Sequence, residues 1–217
     1  MLVADCADAH LLVVQHRSAR RLGRLLTGST AAGLAARSPV PVVSVPELWA
    51  GPRRSPHMTV AVGDRDVAGR DRALLGWAFA EAESRGASLT VLHACHVPTL
   101  GGELYVDQWM LEDWQREARS DLEKQLGSWS AAHPTVAVGV DVPCLRPADA
   151  LVRASAGSDL LAVRRRSQGL AHLGSVVGAA VRESLCPVLV VTPQSRPPET
   201  RAGQERDRRL ARPSGGL

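Results

Sequence analysis

Apolar runs without polar alternation recur along the chain, and helical periodicity fills most of the gaps between them. Segment MTVAV (58–62) opens the most complete series. Over 68–86, Ala73, Leu74, Trp77, Ala78 and Ala82 recur at three- and four-residue steps, which predicts a helix. Gly86 stands where a C-terminal cap belongs. The run SLTVLHACHV (88–97) reads as the next strand, and a loop with two glycines covers 98–106. A long helix is expected over 107–132, with Trp109, Leu111, Trp114, Leu122 and Leu126 as its apolar points and both tryptophans in the core. A strand at 135–142 follows, and Pro147 opens a short helix to about 156, with Asp149 in its first turn. A strand at 160–163, a helix at 174–184 and a strand at 187–191 complete the series. Strands of this kind, each separated by a helix, predict a parallel sheet covered on both faces. The fold class is therefore α/β, an open doubly wound five-stranded parallel sheet. Its ligand is expected at the carboxyl ends of 58–62 and 160–163, where the winding reverses.

The first 50 residues repeat part of this pattern. ADAHLLVVQHRS (7–18) aligns without gaps on AGSDLLAVRRRS (156–167), and 28–45 aligns on 174–191. Gly28-Ser29 falls on Gly174-Ser175, and Pro41 on Pro187. Only the loop differs: nine residues separate Ser18 from Gly28, and six separate Ser167 from Gly174. This is an internal duplication. The first copy contains only the fourth strand, fourth helix and fifth strand of the unit. The expected organisation is a C-terminal fragment of a first domain (1–50), a linker (51–57), a complete domain (58–193) and a disordered basic tail (194–217). A 50-residue αβ fragment with an open strand edge should not fold alone. Either it docks on the second domain or a partner chain, or the polypeptide starts further upstream, and we favour the second. The strand at 187–191 is the expected pairing surface, with 41–45 as its intramolecular partner or a second copy as its partner in a homodimer.

Composition narrows the function classes. The apolar fraction is 45%, with one Phe and one Tyr, so Leu, Val and Ala must fill the core. The net charge is +4, but six arginines against three acids in 194–217 account for +3 of it. A solvated tail explains this better than a nucleic-acid surface. The four cysteines are scattered and contain no CxxC, so neither a zinc site nor a disulfide framework is indicated. No apolar run reaches membrane-spanning length, so a cytoplasmic chain with reduced thiols and no membrane partner is expected. His93 and Cys95 would share one strand face, yet no further ligands stand at useful spacing. No Ser/His/Asp arrangement or carboxylate pair stands out, so no enzymatic activity is expected.

Segments MTVAVGDRD, RALLGWAFAEAESRGASLTVLHA, DLLAVRRRS and GSVVGAAVRESLCPVLVV together resemble the universal stress protein (UspA-like) family. The chain looks like the tandem type with its first domain truncated. The resemblance implies the adenine nucleotide alpha-hydrolase-like fold. It also implies ATP as cofactor in members that carry Gly, two residues, Gly, nine residues, Gly and then Ser or Thr. Glycines there let backbone N–H groups approach phosphates, and the hydroxyl adds a donor. This chain departs from that loop. The leading glycines are Gln15 and Ser18 in the first copy, Arg164 and Ser167 in the second. Gly174-Ser175 persists, and the position of the family's Asp after the first strand holds Gly63, with Asp64 one step later. The candidate cofactor contacts are Gly63, Asp64, Arg164, Ser167, Gly174, Ser175 and Val176, with the Arg164–Arg166 run replacing lost backbone contacts by charge. Gly174-Ser175 is equally an ordinary helix start, and the arginine run a solvated rim. Two readings stay open: a regulator that binds an adenine nucleotide weakly, and a degenerate interaction module that binds none and works by domain pairing. ATP hydrolysis is a weaker third, with no base or metal ligand in view.

Overall fold

The computed structural model describes residues 9–16, 30–63, 69–95, 108–165, 173–192 and 195. The strands are β1 (Leu12–His16), β2 (Val42–Pro46), β3 (His57–Ala61), β4 (Ser88–Leu92), β5 (Val138–Asp141), β6 (Leu160–Arg164) and β7 (Val188–Val191). The helices are α1 (Thr30–Arg37), α2 (Arg72–Arg85), α3 (Gln108–Ala132), α4 (Pro147–Ser155) and α5 (Ser175–Glu183). All seven strands join one sheet in the order β1-β2-β7-β6-β3-β4-β5. Within β7-β6-β3-β4-β5 every pairing is parallel, and the order turns outward in both directions from β3 and β6. That is the doubly wound arrangement. The repeated pair β1-β2 is also parallel, and it joins the rest through an antiparallel contact in which Val42, Val43 and Ser44 face Val190, Leu189 and Val188.

Burial follows the sheet. Strands β6 and β7 lie between neighbours and are buried on both faces, while the edge strands β1 and β5 alternate. One face carries α2 and α3, packed through Leu74, Phe79, Leu122 and Leu126 against Val60, Val91 and Leu189. The other carries α1, α4 and α5, packed through Ala35, Leu151 and Val181 against Leu161, Val163 and Val190. Gly86 ends α2 in the left-handed conformation, φ 60°, and the following N–H of Ala87 bonds back to Ala82 O at 2.8 Å.

Two expectations change in detail. The fourth strand of the sheet stops at Leu92, although its hydrogen bonding continues past that point: His93 N–H donates to Asp141 O, and Cys95 N–H to Pro143 O. The tryptophans of α3 are not core residues. Trp109 is 61% exposed and Trp114 36%, and the buried face is Ala118, Leu122 and Leu126. The reason is where α3 lies. Arg119 reaches Val140 O and Gln115 reaches Val142 O at 2.6 Å, so the helix runs opposite to β5. Residues before Gln115 therefore stand beyond the end of that strand, where no sheet covers them.

Segment 51–57 is anchored. Asp159 accepts from Arg53 N–H at 2.9 Å and from His57 N–H at 2.8 Å, and the Arg53 guanidinium donates to Gly157 O and Ala156 O. The tail at 196–217 and the first eight residues lie outside the described residues.

Candidate functional site

A cavity of about 350 Å³ opens at the carboxyl ends of β3, β4 and β6. It lies where α2 leaves on one face and α5 on the other, the switch point of the winding. Its volume falls within the span of roughly 300–1,000 Å³ that small-molecule sites occupy. Strand ends contribute Ala61, Val62, Leu92, Ala94 and Val163, and helices contribute Pro147, Leu151 and Val177. The polar part of the wall is Gly63, Asp71, Arg164, Gly174 and Ser175.

The start of α5 supplies donors. Gly174 has φ 76° and ψ 152°, backbone that a side chain strains to adopt. No atom lies within 4 Å of where a Cβ would stand, so conformation rather than space selects glycine there. The first intrahelical bond runs from Gly178 N–H to Gly174 O, at 2.9 Å. The N–H groups of Ser175, Val176 and Val177 precede that bond, and all three residues line the cavity. This end of α5 is suited to a negative charge.

Asp71 is the residue the sequence reading did not single out. It is 1% exposed and precedes the first residue of α2. Its side chain makes no capping bond to its own helix. One carboxylate oxygen accepts from Gly63 N–H at 3.1 Å, and the other from Arg164 Nε at 2.5 Å. A carboxylate beside the end of β3 is thus present, but it arrives from the helix. Asp is a favoured residue ahead of a helix, and that signal was available in the sequence.

The structure brings Gly63, Arg164, Gly174, Ser175 and Val176 to one cavity wall. Asp64 and Ser167, and likewise Arg166 and Gly28-Ser29, lie outside the described residues. Of the arginine run, the two described members, Arg164 and Arg165, go to different partners. Neighbouring residues of a strand point to opposite faces. Arg164 turns to Asp71, whereas Arg165 donates through Nη1 to Ala35 O at 3.1 Å and Ser38 O at 3.0 Å, at the end of α1. Among the described residues no group of three or more His, Cys, Asp or Glu side chains could hold a metal ion. His93 Nδ1 sits 3.4 Å from Val62 O.

Residues 1–46 and 57–192 match the model of the universal stress protein family. A universal stress protein of Mycobacterium tuberculosis (strain H37Rv) is 30% identical over 192 residues, covering 83% of this chain and 58% of that protein. One from Mycolicibacterium smegmatis is 30% identical over 202 residues, covering 89% and 65%. The chain thus spans less than two thirds of the length of these relatives. Among solved structures, a universal stress protein from Archaeoglobus fulgidus superposes with a TM-score of 0.60 at 19% identity, covering 88% of this chain and 63% of that one. A crystal structure titled as a putative universal stress protein from Pseudomonas aeruginosa gives 0.58 at 16%, covering 88% and 67%. At these identities the structural likeness speaks for the fold.

Proposed function

Since the chain belongs to the universal stress protein family, we propose that it is a non-catalytic regulatory module that holds an adenine nucleotide weakly in the cavity at the ends of β3 and β6. The observation that carries this reading is the cavity itself: an apolar slot with the α5 N-terminus, Gly174 and Ser175 on its rim. An apolar wall suits a flat base, and the helix start suits a phosphate. The tandem organisation with a partial first copy, placement in the cytoplasm, and dimer or domain pairing belong to this proposal too. The antiparallel contact of β2 with β7 supports the pairing.

A second reading is favoured by the Asp71–Arg164 ion pair. Arg164 stands where nucleotide-binding members carry a glycine, and its guanidinium is already engaged within the cavity wall. In this reading the unit binds no nucleotide and works through strand pairing alone. Calorimetric titration of the full chain with ATP, with and without Mg²⁺, separates the two. Weak nucleotide binding gives a saturable heat with Kd of about 1 mM or tighter, roughly −4 kcal/mol or stronger. No heat at millimolar ATP, and none restored by Arg164→Gly together with Ser167→Gly, rejects the nucleotide and leaves the interaction module.

A further inference from the structure

Cys95 and Cys144 are 49 residues apart in the chain, yet the sheet places them side by side. Strands β4 and β5 pair in parallel with that same offset, Leu89 opposite Val138 and Leu92 opposite Asp141. In this ladder the N–H of a residue donates to the carbonyl just before its partner, as Leu89 N–H does to Ala137 O at 2.8 Å. Past the last strand residues the pattern persists, with Cys95 N–H donating to Pro143 O at 3.0 Å. Cys95 therefore stands opposite Cys144. In a continued strand pair, residues opposite each other point to the same face, with Cα atoms about 4.8 Å apart. That separation lies inside the window of about 4.4–6.8 Å over which two cysteines can be bridged. The Cys95 thiol is near enough to help raise that of Cys144.

We propose that Cys95 and Cys144 are a redox site that closes to a reversible disulfide on reaction with a hydroperoxide. Accessibility sets the order of events: Cys144 is exposed and Cys95 half-buried. The Cys144 sulfur, as thiolate, attacks the peroxide. Its S–O bond forms, the O–O bond breaks, and the departing alkoxide or hydroxide takes up a proton. The Cys95 thiolate then attacks the sulfenic sulfur, forming the S–S bond and expelling hydroxide, which leaves as water with the proton from Cys95. Two electrons pass from the sulfurs to the peroxide, and two thiols and one peroxide give one disulfide, one alcohol or water, and one water.

Selectivity follows from surroundings. Cys186, two residues before β7, is 1% exposed, and burial pushes its thiol up to about 12. It is shielded from both reagent and partner. The Cys144 thiol is raised by burial first and by Cys95 second, so bridge formation is slow at neutral pH and quickens as pH rises. The bridge would fasten the ends of β4 and β5 beside the cavity, since Ala94 lines it from the adjacent position and Pro147 opens α4 three residues after Cys144.

The test treats the reduced full chain with hydrogen peroxide, denatures it and counts free thiols. The count is expected to fall from the four cysteines of the sequence by two and to recover with dithiothreitol. Peptide mapping without reductant should join the peptide of Cys95 to that of Cys144. Cys186→Ser should lose two thiols as the parent does, and Cys144→Ser should form no such bridge. All four thiols retained, a bridge mapped to Cys6 or Cys186, or cross-linked dimers in place of an internal bridge would each overturn the assignment. Mapping the unmodified chain decides the question even where a variant fails to fold.

Discussion

At Asp71 and Arg164 one ion pair joins the two halves of the cavity wall. Asp71 belongs to the start of α2 and Arg164 to the end of β6, 93 positions later. The carboxylate is buried and the guanidinium side chain is 17% exposed, so each removes a charge from water that the other must offset. Asp71→Ala leaves an unpaired guanidinium and an unsatisfied Gly63 N–H. A loss of about 3 kcal/mol is expected by analogy with broken buried pairs, read from urea denaturation. An unchanged midpoint would show that solvent replaces the carboxylate. The spacing of 93 residues explains why the pair was not legible in the sequence. Asp71 reads there as a helix-start residue and Arg164 as one member of an arginine run. What the sequence did present was Gly174-Ser175, because a helix start is a local event, fixed by one glycine conformation and one turn of backbone.

The two copies of the strand-helix-strand unit have the same local pattern but different surroundings. Val13 of β1 aligns with Ala162 of β6. Ala162 is fully buried between β3, β7 and α2, whereas Val13 is 66% exposed at the sheet edge. The same substitution should therefore separate them. Val13→Lys is expected to alter stability by no more than about 0.5 kcal/mol, as at ordinary surface positions. Ala162→Lys buries an unpaired ammonium under α2 and should prevent folding, read by far-ultraviolet circular dichroism and solubility. Equal tolerance at the two positions would mean that β1 is covered as β6 is. Strand and helix identities along the chain were legible because they rest on periodicity within a few residues. The long helix α3 shows the limit of that reading. Trp109 and Trp114 fit an apolar stripe, but a stripe is buried only as far as the sheet beneath it extends.

Over the whole molecule, the first copy is held by β2 on β7 and by Arg165 on the end of α1. Strand β2 is internal to the sheet, so Val43→Pro removes a ladder donor between two neighbours. It should release the first copy and expose segment 47–56 to limited proteolysis while the rest stays resistant. An unchanged digestion pattern would show that packing of α1 alone holds the copy. The sequence by itself determined the succession of strands and helices, the internal duplication, the family and the end of the sheet where a cavity would open. Each of these depends on the identity and spacing of residues close together in the chain. Tertiary structure alone decided the antiparallel register in which β2 meets β7, that Arg164 and Arg165 serve opposite faces, that Asp71 reaches the cavity, and that Cys95 stands opposite Cys144. Those are contacts between residues tens of positions apart, brought about by strand register and by which faces the helices cover, and no local pattern encodes them.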